Sequence, residues 1–209
     1  MNFIRNRNFR AGPQTSLEGF ICPQNSDKQQ KIKVFGRSGG GKLKADLNRW
    51  KQIKGLEQKS DVYALLLLLM IYPELRSVFY WRLGKLATFF FFWMPGRANL
   101  HLVTKPCNVG GGFYVGHGWG TVVNAQRIGK DFRVGQNVSI GSRNCKKSVI
   151  GDNVSVWAHA IVLGDITIGD NSQVGAGAVV IKSVPANSVV VPAKSFIIKK
   201  NGVRVNEPL

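Results

Sequence analysis

The chain has 209 residues, enough for one compact domain with an appendage, and its three cysteines, Cys22, Cys107 and Cys145, lie far apart. This cysteine pattern argues against a disulfide framework and suits a reducing compartment, so we expect a cytoplasmic protein. The 29 Lys and Arg residues against 11 Asp and Glu residues give a net charge of +18. Such a charge attracts phosphate-rich ligands, nucleic acid or anionic lipid, but it does not choose among them.

Residues 1–42 are basic, poor in hydrophobic periodicity and rich in Asn, Gln, Gly and Ser, so we expect an irregular N-terminal segment. The stretch 36–42 (GRSGGGK) matches the spacing of a phosphate loop up to its last place. That place holds Leu43, whereas a phosphate loop needs a Ser or Thr hydroxyl for magnesium. We therefore interpret this stretch as a flexible glycine linker.

Residues 43–98 predict a small helical module, because Leu43, Leu47 and Trp50 recur at helical spacing and Asp61 follows as a helix cap. The three predicted helices cover about 43–60, 61–72 and 73–92.

Two apolar runs in this module, 64–72 and 89–94, are too short for the roughly 20 residues that span a bilayer. One interpretation is a buried helical hairpin or a contact between subunits. The other is peripheral contact with the anionic inner face of the cell membrane. In that case the headgroups would meet Arg76, Arg82, Lys85 and Arg97.

From residue 99 to residue 190 an aliphatic residue recurs at every sixth position. The recurring residues are Val103, Val109, Val115, Ile128, Val134, Ile140, Ile150, Val156, Val162, Ile168, Val174 and Val180. A period of six is typical of a triangular solenoid with three short strands in each turn of eighteen residues. The sequence therefore predicts a mainly β fold, a left-handed parallel β-helix, followed by a C-terminal tail over residues 191–209.

The six-residue register slips twice, with one extra residue between Val115 and Val122 and four extra residues between Ile140 and Ile150. Loops that leave a coil cause such slips. The first slip lies beside His117, where a local bulge turns a side chain outward.

The repeat, the segment 112–124 (GFYVGHGWGTVVN) and the closing residues 191–194 (VPAK) together resemble the serine acetyltransferase branch of the hexapeptide acyltransferases. The resemblance covers about residues 43–200. Within that branch the chain looks most like the O-acetyltransferases of capsule and exopolysaccharide synthesis. This resemblance implies direct acetyl transfer from acetyl-CoA to a hydroxyl, without a metal, in a homotrimer. Pairing through the helical module would give a dimer of trimers.

The resemblance places the catalytic base at His117, since a neutral imidazole removes the hydroxyl proton and contributes about 10²–10⁴-fold. We expect Trp119 to stack on the acceptor, with simple packing as the alternative, and Asn124 to contact the substrate. The family pairs its histidine with an Asp whose position falls near Leu102. No Asp or Glu occurs from residue 75 to residue 130, so the group that orients His117 is a backbone carbonyl, the Asn124 amide or a carboxylate of another subunit.

The same resemblance places acetyl-CoA in a groove between two parallel coils. It implies that Gly141 and Ser142 lie near the thioester and pantetheine, and that Ala158 and Ala176 line the groove. Lys194 matches a basic position near the nucleotide phosphates, which an ammonium group suits. The alternative for Lys194 is a solvated basic tail.

Two departures from the serine-specific pattern concern the acceptor. Serine acetyltransferases carry Asp immediately before the catalytic histidine, where this chain has Gly116. They also carry an Arg-His pair in the extruded loop, whereas residues 142–148 (SRNCKKS) hold no histidine. We therefore expect a sugar hydroxyl of a capsular polysaccharide, an exopolysaccharide or a lipid-linked precursor as the acceptor. L-serine is the alternative acceptor.

Two alternative functions do not involve acyl transfer. A zinc carbonic anhydrase on this coil needs a closely spaced pair of histidines, and the chain offers only His101, His117 and His159. A non-catalytic scaffold or nucleic-acid-binding protein is suggested by the charge alone, and we expect no nucleic-acid partner.

Overall fold

The structure, a computed structural model, describes residues 38–84, 87, 89 and 92–208. The expectations for residues 1–37 lie outside the described residues. Three helices come first, α1 (Ser38–Lys54), α2 (Asp61–Ile71) and α3 (Pro73–Leu83). The remaining chain forms short strands that build a coil.

Each side of the coil is a parallel sheet that takes one short strand from each turn. The first side contains β1 (Leu100–Leu102), β3 (Thr121–Val123), β6 (Ser139–Arg143), β10 (Ile161–Leu163) and β13 (Val179–Val180). The second side contains β4 (Arg127–Ile128), β8 (Val149–Ile150) and β11 (Thr167–Ile168). The third side contains β2 (Tyr114–Val115), β5 (Arg133–Val134), β9 (Ser155–Val156), β12 (Gln173–Val174) and β14 (Val189–Val190). The predicted fold class, a left-handed parallel β-helix after a small helical region, is confirmed with about five turns.

Two antiparallel hairpins extend from the coil. The four-residue slip is a loop in which β7 (Lys146–Lys147) pairs with the end of β6. After the coil, β15 (Phe196–Lys200) pairs with β16 (Val203–Pro208). The residues of the predicted C-terminal tail thus include a hairpin.

Aliphatic side chains at the sixth positions fill the interior of the coil, where each is at most 4% exposed. These residues are Val109, Val115, Val123, Ile128, Val134, Ile140, Ile150, Val156, Val162, Ile168, Val174 and Val180. Two residues before most of them lies a second buried residue that is small or compact, such as Val138, Val154, Ala160, Ser172 and Ala178. Burial of this aliphatic surface from water holds the turns together.

The first slip differs from its prediction. Val115 pairs with Val134 and Val122 pairs with Ser139. Between these two pairings the chain advances seven residues on one turn and five residues on the next. The insertion therefore contains two residues rather than one. Val123, not Val122, points inward, because neighbouring side chains of a strand face opposite sides.

The predicted start of the repeat was also wrong by one position. Val103 is 54% exposed, whereas Leu102 pairs with the inward Val123 and packs against the core. The cause is the same alternation of side chains, since a shift of one residue moves a side chain from one face to the other.

Two helix boundaries differ from the predictions. Helix α1 begins at Ser38, inside the stretch that we interpreted as a glycine linker. Helix α3 ends at Leu83 rather than near Phe92, because Gly84 has a φ of +81° and stops the helix. Among the described residues no single helix is long and apolar enough to span a membrane. Helices α2 and α3 together have that length and apolarity, but the pair is bent by 114°.

A buried ion pair joins the helices to the coil. Arg82 on α3 donates to both carboxylate oxygens of Asp46 on α1, at 2.8 and 3.2 Å, and also to the Gly110 carbonyl oxygen. The same Asp46 accepts the backbone N–H of Phe113 at 2.7 Å. These bonds hold the helices against the turn that carries His117.

Candidate active site

The two inserted residues are His117 and Gly118, and both have left-handed backbone conformations, with φ of +65° and +61°. The insertion lies where the chain passes from β2 on the third side to β3 on the first side. The His117 side chain is exposed there and makes no hydrogen bond to any residue that the structure describes. The insertion thus presents the predicted base to solvent at a corner of the coil.

Successive turns stack directly below this corner. The Trp119 carbonyl oxygen accepts the Asn137 N–H at 2.6 Å. The carbonyl oxygens of Gln136 and Ala158 accept the corresponding N–H groups of His159 and Gly177. These bonds place Trp119, Gln136, Ala158 and Ala176 in one row, which we call the corner row.

The corner row unites three predicted site residues. Trp119 heads it with a side chain that is 49% exposed, and Ala158 and Ala176 continue it with methyl groups. Because strands are spaced about 4.8 Å apart, Trp119 and Ala176 lie roughly 14 Å apart along the coil. The row thus begins beside His117 with Trp119 and Gln136, and ends with the two small side chains of Ala158 and Ala176.

Lys194 lies beyond the far end of this row. Val190 pairs with Val174, and Val191 lies against Gly175. Lys194 follows four residues after Val190 and its side chain is exposed. Lys194 therefore follows the last turn, at the end of the coil away from His117.

Asn124, Gly141 and Ser142 lie at a different corner. Asn124 follows β3, and its N–H donates to the Ile140 carbonyl oxygen at 2.9 Å, which places it beside Gly141. The whole of β3 separates this corner from His117, roughly 10 Å at the strand rise. The Asn124 amide is therefore too far along the strand to orient His117 in the same subunit. Its Oδ1 atom is buried without a hydrogen-bond partner among the described residues.

Two residues beside His117 were missed by sequence reasoning. Glu74, in the first turn of α3, accepts Nε and Nη2 of Arg97 at Oε1, at 2.9 and 2.5 Å. The Arg97 guanidinium lies 4.4 Å from the centre of the Trp119 ring. A Cβ atom on Gly118 would meet the Glu74 Cγ at 3.3 Å. The Glu74–Arg97 pair thus lies against the loop that holds His117.

No sequence signal joins these two residues, because they are 23 positions apart and belong to no repeat. Only the docking of α3 on the coil brings them together. The closest available signal is the Pro73-Glu74 helix start, which marks Glu74 as a residue of a first helical turn.

The described residues contain no group of three His, Cys, Asp or Glu side chains that could hold a metal ion. His101, His117 and His159 are all exposed and lie on different parts of the coil. His159 follows Ala158 at the same corner as His117, two turns further along.

The comparisons with known proteins identify the repeat. Residues 147–182 match the family described as bacterial transferase hexapeptide (six repeats). A serine acetyltransferase of Staphylococcus xylosus is 38% identical over 104 residues, which are 47% of this chain and 48% of the relative. A serine acetyltransferase of Bacillus pumilus is 35% identical over 106 residues, 48% of this chain and 49% of the relative. The match thus spans about half the length of these curated relatives.

Solved structures give the same result for the fold. Serine acetyltransferase isoform 3 of Entamoeba histolytica, in complex with cysteine, has a TM-score of 0.58 and 25% identity, over 78% of this chain and 62% of that one. The Neisseria gonorrhoeae serine acetyltransferase in complex with serine has a TM-score of 0.58 and 24% identity, over 76% and 68%.

The repeat, the coil and these matches define the class, a protein with the hexapeptide-repeat acyltransferase fold. Within that class the solved structures that share this fold are serine acetyltransferases, and the matched half of the sequence is similar to serine acetyltransferases.

The comparisons overturn the expectation of a polysaccharide acceptor, because these relatives and structural neighbours are named serine acetyltransferases. The expectation rested on two missing side chains, at Gly116 and in residues 142–148. A missing side chain does not identify an acceptor, since another residue that is distant in sequence can supply the same charge.

Proposed function

We propose that the protein is an acetyl-CoA-dependent O-acetyltransferase whose acceptor is the hydroxyl group of L-serine, with His117 as the general base. One observation carries the acyl-transfer part of this proposal. The two-residue insertion presents an exposed imidazole at the head of the corner row, whose last two positions are the alanines Ala158 and Ala176. The names of the curated relatives support serine as the acceptor.

In the proposed reaction the His117 imidazole takes the proton of the acceptor hydroxyl as its oxygen attacks the thioester carbonyl carbon. The tetrahedral intermediate then breaks its carbon–sulfur bond. The leaving thiolate of CoA takes the proton back from the imidazolium, and the acetyl ester is released. The histidine thus returns to its starting state without an acyl-enzyme intermediate.

Acetyl-CoA lies along the corner row in this proposal. The thioester is next to His117, and the extended arm passes Ala158 and Ala176, whose methyl groups leave room for it. Three strand spacings of about 4.8 Å bring the arm past Ala176, roughly 14 Å from Trp119, and Lys194 follows the last turn at that end of the coil. There the ammonium group pairs with phosphate. Gly141 and Ser142, at the other corner, line the groove from the neighbouring coil.

The groove between coils implies a homotrimer with three equivalent sites. Exposed apolar side chains on the last turns support packing of one coil on another. These residues are Val179, Ile181, Val189 and Val191, each at least 51% exposed.

We propose a cytoplasmic location for this trimer. A second set of exposed apolar side chains, on α2 and on the segment after α3, supports a further contact. It consists of Val62, Leu66, Met70, Phe92 and Trp93. The two interpretations are pairing of trimers and peripheral contact with an anionic membrane. Flotation of the purified protein with vesicles of anionic and of neutral phospholipid separates them, because only membrane contact gives flotation that anionic lipid increases.

The function is tested by release of free CoA thiol from acetyl-CoA in the presence of L-serine. We expect transfer by the full chain, and a fall in kcat/KM on the order of 10²–10⁴-fold for His117→Ala, because the general base is lost. The matched control is His159→Ala, which removes an exposed imidazole two turns away and should retain activity. Acetylation that persists in His117→Ala, or an intact protein that transfers nothing to serine, would contradict the proposal.

A further inference from the structure

The Glu74–Arg97 ion pair is largely buried, beside the loop that carries His117. The Glu74 side chain is only 5% exposed and that of Arg97 is 20% exposed. A buried ion pair costs desolvation energy that its own attraction often fails to repay. Its position, directly against the inserted residue Gly118 and the exposed Trp119, suggests a role in the site.

The pair is held rigidly. The Arg97 N–H donates to the Ser77 Oγ at 2.8 Å and to the Pro73 carbonyl oxygen at 3.1 Å. A Cβ atom on Gly96 would collide with Ser77, so the chain before Arg97 runs flat against α3. Helix α3 therefore fixes both the backbone and the guanidinium group of Arg97.

One edge of the guanidinium remains available. Nε and Nη2 both donate to Oε1 of Glu74, whereas Nη1 donates to no atom of the described residues. A guanidinium carries five N–H groups in a planar fork that fits a carboxylate with two parallel hydrogen bonds. Because Glu74 lies beneath Arg97 and is almost inaccessible, a ligand that reaches this place meets donors rather than the carboxylate.

The Arg97 guanidinium lies 4.4 Å from the centre of the Trp119 ring, a cation–π contact that joins the two side chains. Trp119 is two residues from His117 in the same loop. A small acceptor whose hydroxyl contacts His117 can therefore extend its other end toward Arg97.

We propose that Arg97, held in place by Glu74, binds the carboxylate of the acceptor amino acid. This inference rests on the proposed function, and it names the residue that distinguishes serine from an uncharged alcohol. It also adds a second cation for the carboxylate to a site whose loop of residues 142–148 contains Arg143 but no histidine. Arg97 is a binding residue, and Glu74 is a positioning residue that acts through Arg97.

The test compares L-serine with serinol, the same amino alcohol with a second hydroxymethyl group in place of the carboxylate. For Arg97→Gln we expect the KM for serine to rise by about 10- to 100-fold, as loss of a charged hydrogen bond predicts, with a small change in kcat. Activity with serinol should stay unchanged, so the preference for serine disappears. Arg97→Lys should restore part of the preference, because it keeps the charge but not the fork. Glu74→Gln should change the KM in the same direction by a smaller factor.

Arg133→Gln is the matched control, because Arg133 lies over the rings of Trp157 and Tyr114, at 4.5 and 5.4 Å, on the third side of the coil, and within the described part of the chain it has no bond to His117 or Gly118. It should leave the KM for serine unchanged. If Arg97→Gln does not fold, as thermal unfolding would show, Arg97→Lys decides the question alone through its own ratio of serine to serinol activity.

Equal losses with serine and serinol would overturn the inference, since they would mean that Arg97 only supports the loop. A different result, in which the unaltered protein transfers acetyl groups to neither compound, would overturn the proposed function itself. The two failures are thus distinguishable.

Discussion

Two buried serines show how a single hydroxyl affects the coil. Ser148 and Ser172 each lie two residues before an inward aliphatic residue, and both are fully buried. The Ser172 Oγ donates to the Pro185 carbonyl oxygen at 2.8 Å, whereas the Ser148 Oγ has no partner among the described residues. A buried hydroxyl without a partner costs stability, and a paired one contributes to it.

We therefore expect Ser148→Ala to raise the free energy of unfolding by about 1 kcal/mol, because it removes an unsatisfied polar atom from the interior. Chemical denaturation measures the change. The matched variant Ser172→Ala should lower the same quantity by about 1 kcal/mol, through the lost hydrogen bond. Destabilisation by both variants would show that the Ser148 hydroxyl has a partner in solution.

A larger side chain in the corner row should weaken the binding of acetyl-CoA. Ala176→Leu adds three carbons to this row, between His117 and Lys194, so we expect the KM for acetyl-CoA to rise by about tenfold with little change in the melting temperature. Steady-state kinetics at saturating serine measures it. Ala186→Leu, at an exposed alanine of another corner, is the control. An unchanged KM in Ala176→Leu would remove acetyl-CoA from the corner row.

For individual residues, the sequence predicted the positions that follow from the six-residue repeat. The sixth positions from Ile128 onward are buried as predicted, because each turn repeats the same short strand and corner. The sequence did not predict that Glu74 lies beside the loop of the predicted base, since this position follows from the docking of a helix on the coil. The role of His117 rests on a resemblance and stays a prediction.

The ion pair between Asp46 and Arg82 is the main polar link between the helices and the coil. Burial raises the pKa of Asp46, while hydrogen bonds from Arg82 and from the Phe113 N–H act in the opposite direction. The Arg82 guanidinium also donates to carbonyl oxygens of the coil, those of Pro106, Val109 and Gly110. One arginine thus connects α1, α3 and the first turn.

Asp46→Asn should lower the free energy of unfolding by about 3–5 kcal/mol, because it leaves the buried Arg82 charge without its partner. Thermal or chemical denaturation measures the loss. Asp165→Asn breaks an exposed pair with Lys146 and should have little effect, since exposed pairs contribute little. Equal effects of the two variants would mean that the helices contribute nothing to the stability of the coil.

The boundaries of elements were harder to predict than their existence. The sequence indicated three helices and a slip beside His117, and all of them are present. It placed the end of α3 at about Phe92 rather than Leu83, because the interruption at Gly84 depends on a positive φ, and Ala87 and Phe89 are again helical. It also counted one inserted residue, because two adjacent valines, Val122 and Val123, both fit the inward position.

For the whole molecule we expect a trimer. Light scattering during size-exclusion chromatography should give the mass of three chains, because burial of the exposed valines on the last turns favours association. Val189→Glu combined with Val191→Glu should produce a monomer, since charges at a packed apolar surface oppose contact. The control is Val203→Glu on the C-terminal hairpin, which should leave the mass unchanged. A monomeric unaltered protein would contradict the shared groove.

The stacking of corners also gives the molecule a fixed scale of length. Each turn adds about 4.8 Å between a residue at the head of the corner row and the next residue below it. The separation of Trp119 from Ala176 is therefore a whole number of equal steps, three in this chain. Insertion or removal of an eighteen-residue turn would change that separation by one step, and only the side chains at the junction would gain new neighbours. The number of turns thus sets the distance between the two ends of the coil in fixed increments.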